Sequence, residues 1–449
     1  MEDSREARLS VQIRDWVLDC GARYWGDGRE HLARLTLLNS FASSSQHALT
    51  DAAAIDPGAF VFVQLPDWAA DCGVDSAIGV DAAAIFDGEG PAWRRCDWLL
   101  AAFLQLGGTI ERRHERCHGP IGSYAFRLGA SADPKRFEHA WVNRMFLFLR
   151  RAASRERDGD EEKLFGHLPQ PQIVLTHDID ALRKTIEIRA KAAAFSFWNA
   201  GRKLREGQLA AAPSHVMHGI RFGLGPGNFD TLDEVRELEE KAGLRSVLHV
   251  YGGRAGFRRG FPQSMLIDPA YDVNGPRIRQ QLRAFIDGGW EIGLHQSYGA
   301  WEDAAKMRAE RERVEQTSGR PVTHCRQHWH RFSWHGTWAA QEAAGLRLDS
   351  TLGFNDRPGF RNGAALKLHP WNPEAGNAMS IAAMPMVFMD SQFYDYQPMT
   401  DDERGDAMQG WLDEVRAVHG QATVSWHTHT ISDSYGWGFG FRQLIGLLA

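Results

Sequence analysis

The 449-residue chain lacks the features that mark several specialised classes of protein. Its five cysteines form no CxxC pair, so neither a disulfide framework nor a thiolate zinc site is indicated. No apolar run approaches the roughly 18 residues that a membrane-spanning helix needs. The formal net charge of -6 gives no general case for nucleic acid or an anionic membrane as a partner. Because the cysteines indicate no thiolate site, any metal should be held by Asp, Glu and His.

A secretory signal is also missing from the sequence, because its first residues show no basic stretch followed by an apolar one. We therefore expect a cytoplasmic protein. The 43% hydrophobic and 24% charged residues are typical of a globular chain, and the length suits two or three domains. A charge run and two prolines fill residues 151–171 and predict a linker. We place an N-terminal α+β accessory domain at 1–150 and a second domain at 172–449.

Strand-like runs and helical stretches alternate throughout the second domain. The runs lie at 173–175, 246–250, 290–294, 322–325, 346–349, 384–389 and 422–426. Strands that alternate with helices favour a parallel sheet. Seven strands of this kind favour a barrel or near-barrel over a small open sheet. The predicted fold is α/β, a distorted (β/α)7-type barrel preceded by the accessory domain.

Polar side chains follow five of these runs at the point where each predicted strand ends. Asp178 and Asp180 follow the first run and, being two residues apart, point to the same side of an extended backbone. Two such carboxylates repel each other unless a cation or a proton lies between them, so they indicate a metal site or, equally well, an ordinary acidic loop. The later strand ends bring His295, Arg326 with His328, Asp349, and His427 with His429. Five ends of this kind in one barrel favour a functional site.

The motifs at these ends resemble those of the polysaccharide deacetylase family, also called the NodB-homology or carbohydrate-esterase-4 type. They read LTHDxD at 175–180, EIGLHxSY at 291–298, RQHxxRF at 326–332, DSTLGF at 349–354 and WH at 426–427. Their order and spacing agree with a bacterial branch of the family over residues 172–449. The N-terminal block also looks like the accessory region of that branch.

The resemblance implies a role for each matching residue. Asp178 would be the general base, Arg326 the partner that keeps this base ionised, and His427 the general acid. Asp349 corresponds to a further motif aspartate and would hold His427 in the required tautomer. Asp180 and His295 would bind a divalent metal, with zinc as the first choice, and zinc lowers the pKa of a bound water to about 7.

One departure from the family concerns the metal ligands. The family usually has HxxxH, but the position four residues after His295 is Gly299. His328, in the same strand-end turn as Arg326, is the preferred replacement as the third ligand. His177 and Glu302 are the other candidates.

The resulting hypothesis is a metal-dependent hydrolase that removes an acetyl group, held as an amide or an ester, from an amino sugar or glycan precursor. Gly299 motivates the first alternative, a carbohydrate-binding pseudo-deacetylase without activity. The second alternative is a glycosyltransferase, because Asp178-Ile179-Asp180 is also a DxD motif. That reading leaves His295, Arg326 and His427 unexplained.

Overall fold

A computed structural model describes residues 9–41, 51–184, 189, 197, 200–201, 212–225, 229–253, 267–396 and 399–449. The chain forms two compact units. The first comprises Met1–Val174, Trp329–Phe388 and Gln409–Val424, and the second comprises Leu175–His328, Met389–Met408 and Ser425–Ala449. The domain boundaries given above remain a prediction.

The N-terminal part of the first unit is mainly helical. Its helices are α1 (Val11–Cys20), α2 (Ala22–Trp25), α3 (Arg29–Ala33), α4 (Thr36–Asn39), α5 (Ala92–Arg95), α6 (Trp98–Leu106), α7 (Thr109–His118), α8 (Trp141–Glu156) and α9 (Glu161–Phe165). Strands β1 (Phe60–Gln64) and β2 (Ala77–Asp81) pair antiparallel beside them. Helix α6 begins where the Asp97 carboxylate caps the amides of Leu99 and Leu100, and it is buried along its whole length. Part of the predicted linker is helical, since α8 runs to Glu156 and α9 follows.

The main sheet contains eight strands. They are β3 (Gln172–Ile179), β4 (Val247–Tyr251), β5 (Glu291–Gln296), β6 (His324–Gln327), β7 (Leu348–Asp349), β10 (Ala382–Ala383), β11 (Met386–Met389) and β12 (Gln421–Ser425), and β8 (Trp371–Asn372) and β9 (Asn377–Ala378) form a separate ribbon. The order is β10-β7-β6-β5-β4-β3-β12-β11, and β3 to β6 pair in parallel. The α/β class and the parallel sheet are thus confirmed, in the form of a half-barrel with edges at β10 and β11. Each predicted run overlaps one strand, and β10 is additional.

The other helices within the described residues connect the strands or follow them. They are α10 (Ala212–Leu224), α11 (Leu232–Lys241), α12 (Pro276–Asp287), α13 (Ala304–Ser318), α14 (Thr337–Ala343), α15 (Asp401–Ala417) and α16 (Gly438–Leu448). Helix α13 begins at the Asp303 cap and ends at Gly319, whose φ of 69° is left-handed. In the described part of the chain, we find no helix with the length and apolar character needed to cross a bilayer.

The pairing of β3, β4, β5 and β6 sets which side chains become neighbours. Asp178 on β3 is in register with His249 on β4, and His295 on β5 is in register with Arg326 on β6. Asp178, His295 and Arg326 each lie one residue before the end of their strand, and His249 lies two residues before the end of β4. Because parallel strands end at the same edge of a sheet, this register gathers polar groups at one edge.

Candidate metal centre and active site

Three predicted ligands meet in the second unit. The ligand atoms of Asp180, His295 and His328 all lie within 4.8 Å of one another. Asp180 Oδ1 is 3.1 Å from His295 Nε2 and 3.6 Å from His328 Nε2. Both imidazoles are buried, and Asp180 is only partly exposed. These three ligands were predicted from the sequence at the strand ends. In the structure their side chains lie close together.

Hydrogen bonds at the Nδ1 atoms of His295 and His328 set the orientation of the two imidazoles. His295 Nδ1 lies 3.1 Å from the Arg326 carbonyl oxygen, which can only accept, so Nδ1 carries the proton. His295 Nε2 faces Asp180 Oδ1 at 3.1 Å. Both atoms are buried, and neither has a hydrogen-bond partner among the described residues. His328 Nδ1 lies 3.2 Å from Asp268 Oδ1, the carboxylate–imidazole arrangement common behind metal ligands.

This arrangement fits a divalent cation. One carboxylate and two imidazoles form a ligand set that zinc accepts while keeping a further position open. A cation between Asp180 Oδ1 and His295 Nε2 would give both buried atoms a partner. Burial by itself raises the pKa of Asp180, but His328, His295 and His427 outweigh it and hold the pKa well below its usual value.

Gly299 has no side chain and so supplies no ligand. Gly299 lies in the short 3-10 turn Tyr298–Ala300 after β5. A Cβ atom at this position would lie 3.2 Å from the Lys306 ammonium nitrogen, and a cation there would oppose a metal. Of the other candidates, His177 uses both ring nitrogens, on the Trp426 carbonyl at 2.7 Å and on Glu239 at 2.5 Å. Glu302 is exposed.

Asp178 lies in the same unit and is almost completely buried. Arg326 Nη1 donates to Asp178 Oδ1 at 3.1 Å, and it also donates to the hydroxyls of Thr176 and Ser425 at 2.7 Å each. Burial on its own raises the pKa of Asp178, but the guanidinium of Arg326 and the nearby His295 outweigh it and keep the pKa well below its usual value. Asp178 is therefore ionised at neutral pH and can accept a proton.

His427 stands on the other side of Asp180. Its Nε2 lies 3.6 Å from Asp180 Oδ2, and its Nδ1 lies 2.6 Å from Asp390 Oδ1. Asp390 Oδ2 also accepts from the His427 amide and from the Thr430 hydroxyl, at 2.9 Å each. Burial lowers the pKa of His427, but Asp390, Asp180 and Asp178 outweigh it and raise the pKa to about 10. His427 is therefore protonated at neutral pH.

The carboxylate that holds His427 differs from the predicted one. Asp349 lies in the first unit, where it is fully buried and accepts from Trp338 Nε1 at 3.0 Å, from Gln341 Nε2 at 2.9 Å and from the Thr351 hydroxyl. The expected bond from His427 goes to Asp390 instead. The physical reason is strand order, because Asp390 follows β11 and β11 is the neighbour of β12, which precedes His427.

Three polar groups of the site were not predicted: Asp390, Asp268 and His249. Asp390 directly follows a predicted strand, so the strand-end rule that found the other residues would also have found it. His249 lies inside β4, an apolar strand, where the sequence pattern favours a core histidine. Its ring nitrogen Nδ1 lies 3.1 Å from Asp178 Oδ1. Asp268 carries no motif signal and is visible only through its contact with His328.

Comparison with known proteins gives a fold likeness. No family model and no curated protein matches the chain. Similar solved structures include a Mycobacterium smegmatis protein assigned as a polysaccharide deacetylase, at 15% identity and a TM-score of 0.35 over 62% of this chain and 84% of that one. A CE4-family pseudoenzyme from Bacillus anthracis has 11% identity and a TM-score of 0.29 over 63% of this chain and 62% of its own. A mutant of that pseudoenzyme with restored enzymatic activity has 11% identity and a TM-score of 0.30, over 63% and 64%.

Proposed function

We propose that this protein is a metal-dependent deacetylase that hydrolyses an acetyl amide or ester on an amino sugar or glycan. The observation that supports it is the arrangement around Asp180. Two buried imidazoles meet one oxygen of this carboxylate, and a protonated His427 lies 3.6 Å from the other. An ionised Asp178 lies two residues away along the chain. One ligand set, one base and one acid are what hydrolysis of an acyl group needs.

The side chains divide the proton transfers between them. Asp178 takes a proton from the water whose oxygen adds to the acetyl carbon. His427 gives its Nε2 proton to the departing nitrogen or oxygen as the bond to the acetyl carbon breaks, and acetate is released. Each transfer contributes on the order of 10²- to 10⁴-fold. A divalent metal held by Asp180, His295 and His328 would supply the Lewis acid for water and carbonyl.

The strongest alternative is a carbohydrate-binding protein without activity. The observation that favours it is Gly299, which stands where the family's second metal histidine is expected. The alternative requires that His328 does not compensate for this loss. A DxD glycosyltransferase is less well supported, since it gives no role to the Asp178–Arg326 or His427–Asp390 pairs.

Metal analysis combined with an acetate-release screen tests the proposal. We expect the purified protein to hold a divalent metal and to release acetate from an acetylated amino sugar or oligosaccharide. Asp178→Asn should keep the metal and lose turnover by roughly 10³-fold or more, because the base is gone. Asp180→Ala should lose the metal. A protein that binds no divalent metal and releases no acetate from any acetylated sugar would be the binding protein instead.

A further inference from the structure

His249 is a buried polar side chain to which the reaction scheme above gives no role. It lies on β4 with no exposed surface, in register with Asp178 on the adjacent strand. Its Nδ1 is 3.1 Å from Asp178 Oδ1. A carboxylate oxygen of an ionised aspartate can only accept, so His249 donates through Nδ1.

The hydrogen bonds to Asp178 are unequally distributed between its two oxygens. Arg326 Nη1 and His249 Nδ1 both end on Oδ1, each at 3.1 Å. Among the described residues, no hydrogen bond reaches Oδ2. Two donors from different strands therefore fix the plane of the carboxylate and leave one defined oxygen available to take a proton.

The neighbouring strand is shaped to receive the imidazole. A Cβ atom at Gly293 on β5 would lie 2.6 Å from His249 Cδ2 and 3.2 Å from its Nε2, so only glycine leaves room for the ring. His324 packs on it edge to face, with ring centroids 6.0 Å apart. Burial and the nearby Arg326 lower the pKa of His249 to about 3. The ring is thus neutral and remains a donor without adding charge beside Asp178.

We propose that His249 is a positioning residue that, together with Arg326, holds Asp178 by Oδ1 and so presents Oδ2 as the proton acceptor. The inference rests on the proposed function as far as turnover is concerned. It goes beyond that function in assigning the orientation of the base to a histidine in the middle of an apolar strand.

Two substitutions of His249 distinguish the effect of its N–H donor from that of its aromatic ring. His249→Phe keeps an aromatic ring of similar size and removes the donor, whereas His249→Asn keeps an N–H near the position of Nδ1. We expect His249→Phe to lower kcat roughly 10- to 100-fold, the loss of one hydrogen bond to a charged group, with KM and metal content unchanged. His249→Asn should recover most of that loss. His335→Asn, a substitution at an exposed histidine, is the matched control and should keep wild-type kcat.

A measurement that needs no turnover completes the test. In ¹⁵N-histidine-labelled protein, one neutral ring protonated on Nδ1 should disappear in His249→Asn and shift in Asp178→Asn. If the wild type releases no acetate from any substrate, the proposed function fails and this spectrum alone decides the inference. Wild-type kcat in His249→Phe, equal losses in both His249 variants, or a His249 ring protonated only on Nε2 would overturn it.

Discussion

Asp178 and Asp180 are separated by one residue, yet their carboxylates have different partners. Asp178 is held by Arg326 and His249, both on one oxygen. Asp180 faces the Nε2 atoms of His295 and His328. The Nδ1 atoms of these imidazoles contact the Arg326 carbonyl and Asp268. When the surroundings of two nearby carboxyl groups differ in this way, their chemical roles differ too. These different neighbours support the proposed roles of Asp178 as base and Asp180 as ligand.

His328 is the predicted third ligand, and its removal tests the proposed metal site most directly. His328→Ala removes one of three ligands, so we expect its zinc affinity to fall by more than the 10- to 100-fold typical of losing a residue behind a ligand. Competition with a chromogenic chelator measures this change. Glu302→Ala is the control, because Glu302 is exposed and should leave the affinity unchanged. Equal affinities in His328→Ala and the wild type would show that the third ligand lies elsewhere.

Asp390 and Asp349 are two buried carboxylates whose substitution should affect kcat and melting temperature differently. Asp390→Asn removes the negative charge that favours the imidazolium of His427, so kcat should fall roughly 10²-fold or more. Asp349→Asn alters a buried carboxylate bonded to Trp338, Gln341 and Thr351. It should lower the melting temperature and leave kcat near that of the wild type. Acetate release and thermal unfolding of both variants decide this, and the reverse pattern would restore Asp349 to the role that the motif implied.

At the level of secondary-structure elements, the strands were predicted mainly from apolar runs in the sequence. β4, β5, β11 and β12 are almost entirely buried, and buried parallel strands give the continuous apolar runs that the sequence shows. The two-residue strand β10 has no such run and was not predicted. Strand ends also indicated the three ligands, the base and the acid.

The hydrogen-bond partners of these residues could not be predicted from the sequence alone. The role of His249 depends on the β3–β4 register, and that of Asp390 depends on which strand lies next to β12. Neither the register nor the strand order follows from local pattern, since both are set by packing of the complete sheet. Asp268 reaches His328 from a loop, where sequence patterns carry least information about position.

The pairing of α8 with α15 predicts how the stability of the first unit depends on pH. Arg144 on α8 donates to both oxygens of Glu414 on α15, at 3.0 and 2.6 Å, and His139 Nδ1 lies 3.0 Å away. Burial alone raises the pKa of Glu414, but the bonds from His139 and Arg144 outweigh it and lower the pKa from 4.5 to about 2. The unfolded chain therefore binds this proton first as the pH falls.

The contribution of Glu414 to stability should accordingly be complete above about pH 4.5 and disappear as the pH falls towards about 2. Denaturant unfolding of the wild type and of Glu414→Gln across this range measures it. The difference between the two free energies of unfolding should shrink with acid. Glu374→Gln, at an exposed position, should show no such trend. A constant difference for Glu414→Gln would contradict the assignment.

At the scale of the whole molecule, the first unit is assembled from three separated parts of the chain. Glu111 from α7 binds the buried guanidinium of Arg361 at 2.9 and 2.7 Å, and the Tyr24 hydroxyl donates to the Val418 carbonyl at 2.7 Å. Ser123 also donates to the carbonyl of His330, a residue with a left-handed φ of 45°. The N-terminal block therefore supplies partners for groups that are buried far along the chain.

Deleting residues 1–171 should consequently prevent stable folding of the rest. Arg361 and Glu414 would both lose their charged partners, and a buried charge without a partner is strongly destabilising. We expect the 172–449 fragment to be insoluble, or to lack a cooperative unfolding transition by circular dichroism. Full-length Glu111→Gln should fold with a lowered melting temperature. A soluble fragment with a cooperative transition would show that residues 172–449 fold without the N-terminal block.

The predicted metal ligands lie at different strand ends, and this has a consequence for insertions. An HxxxH motif fixes the number of residues between its two imidazoles. Here the imidazoles of His295 and His328 are placed by the pairing of β5 with β6, and helix α13 and its exposed turn at Gly319 and Arg320 lie between them in the chain. Residues can therefore be added at that turn without altering the distance between the ligands, because loop length affects closure entropy only weakly. The connection between the two histidines is free to lengthen while the metal centre keeps its geometry.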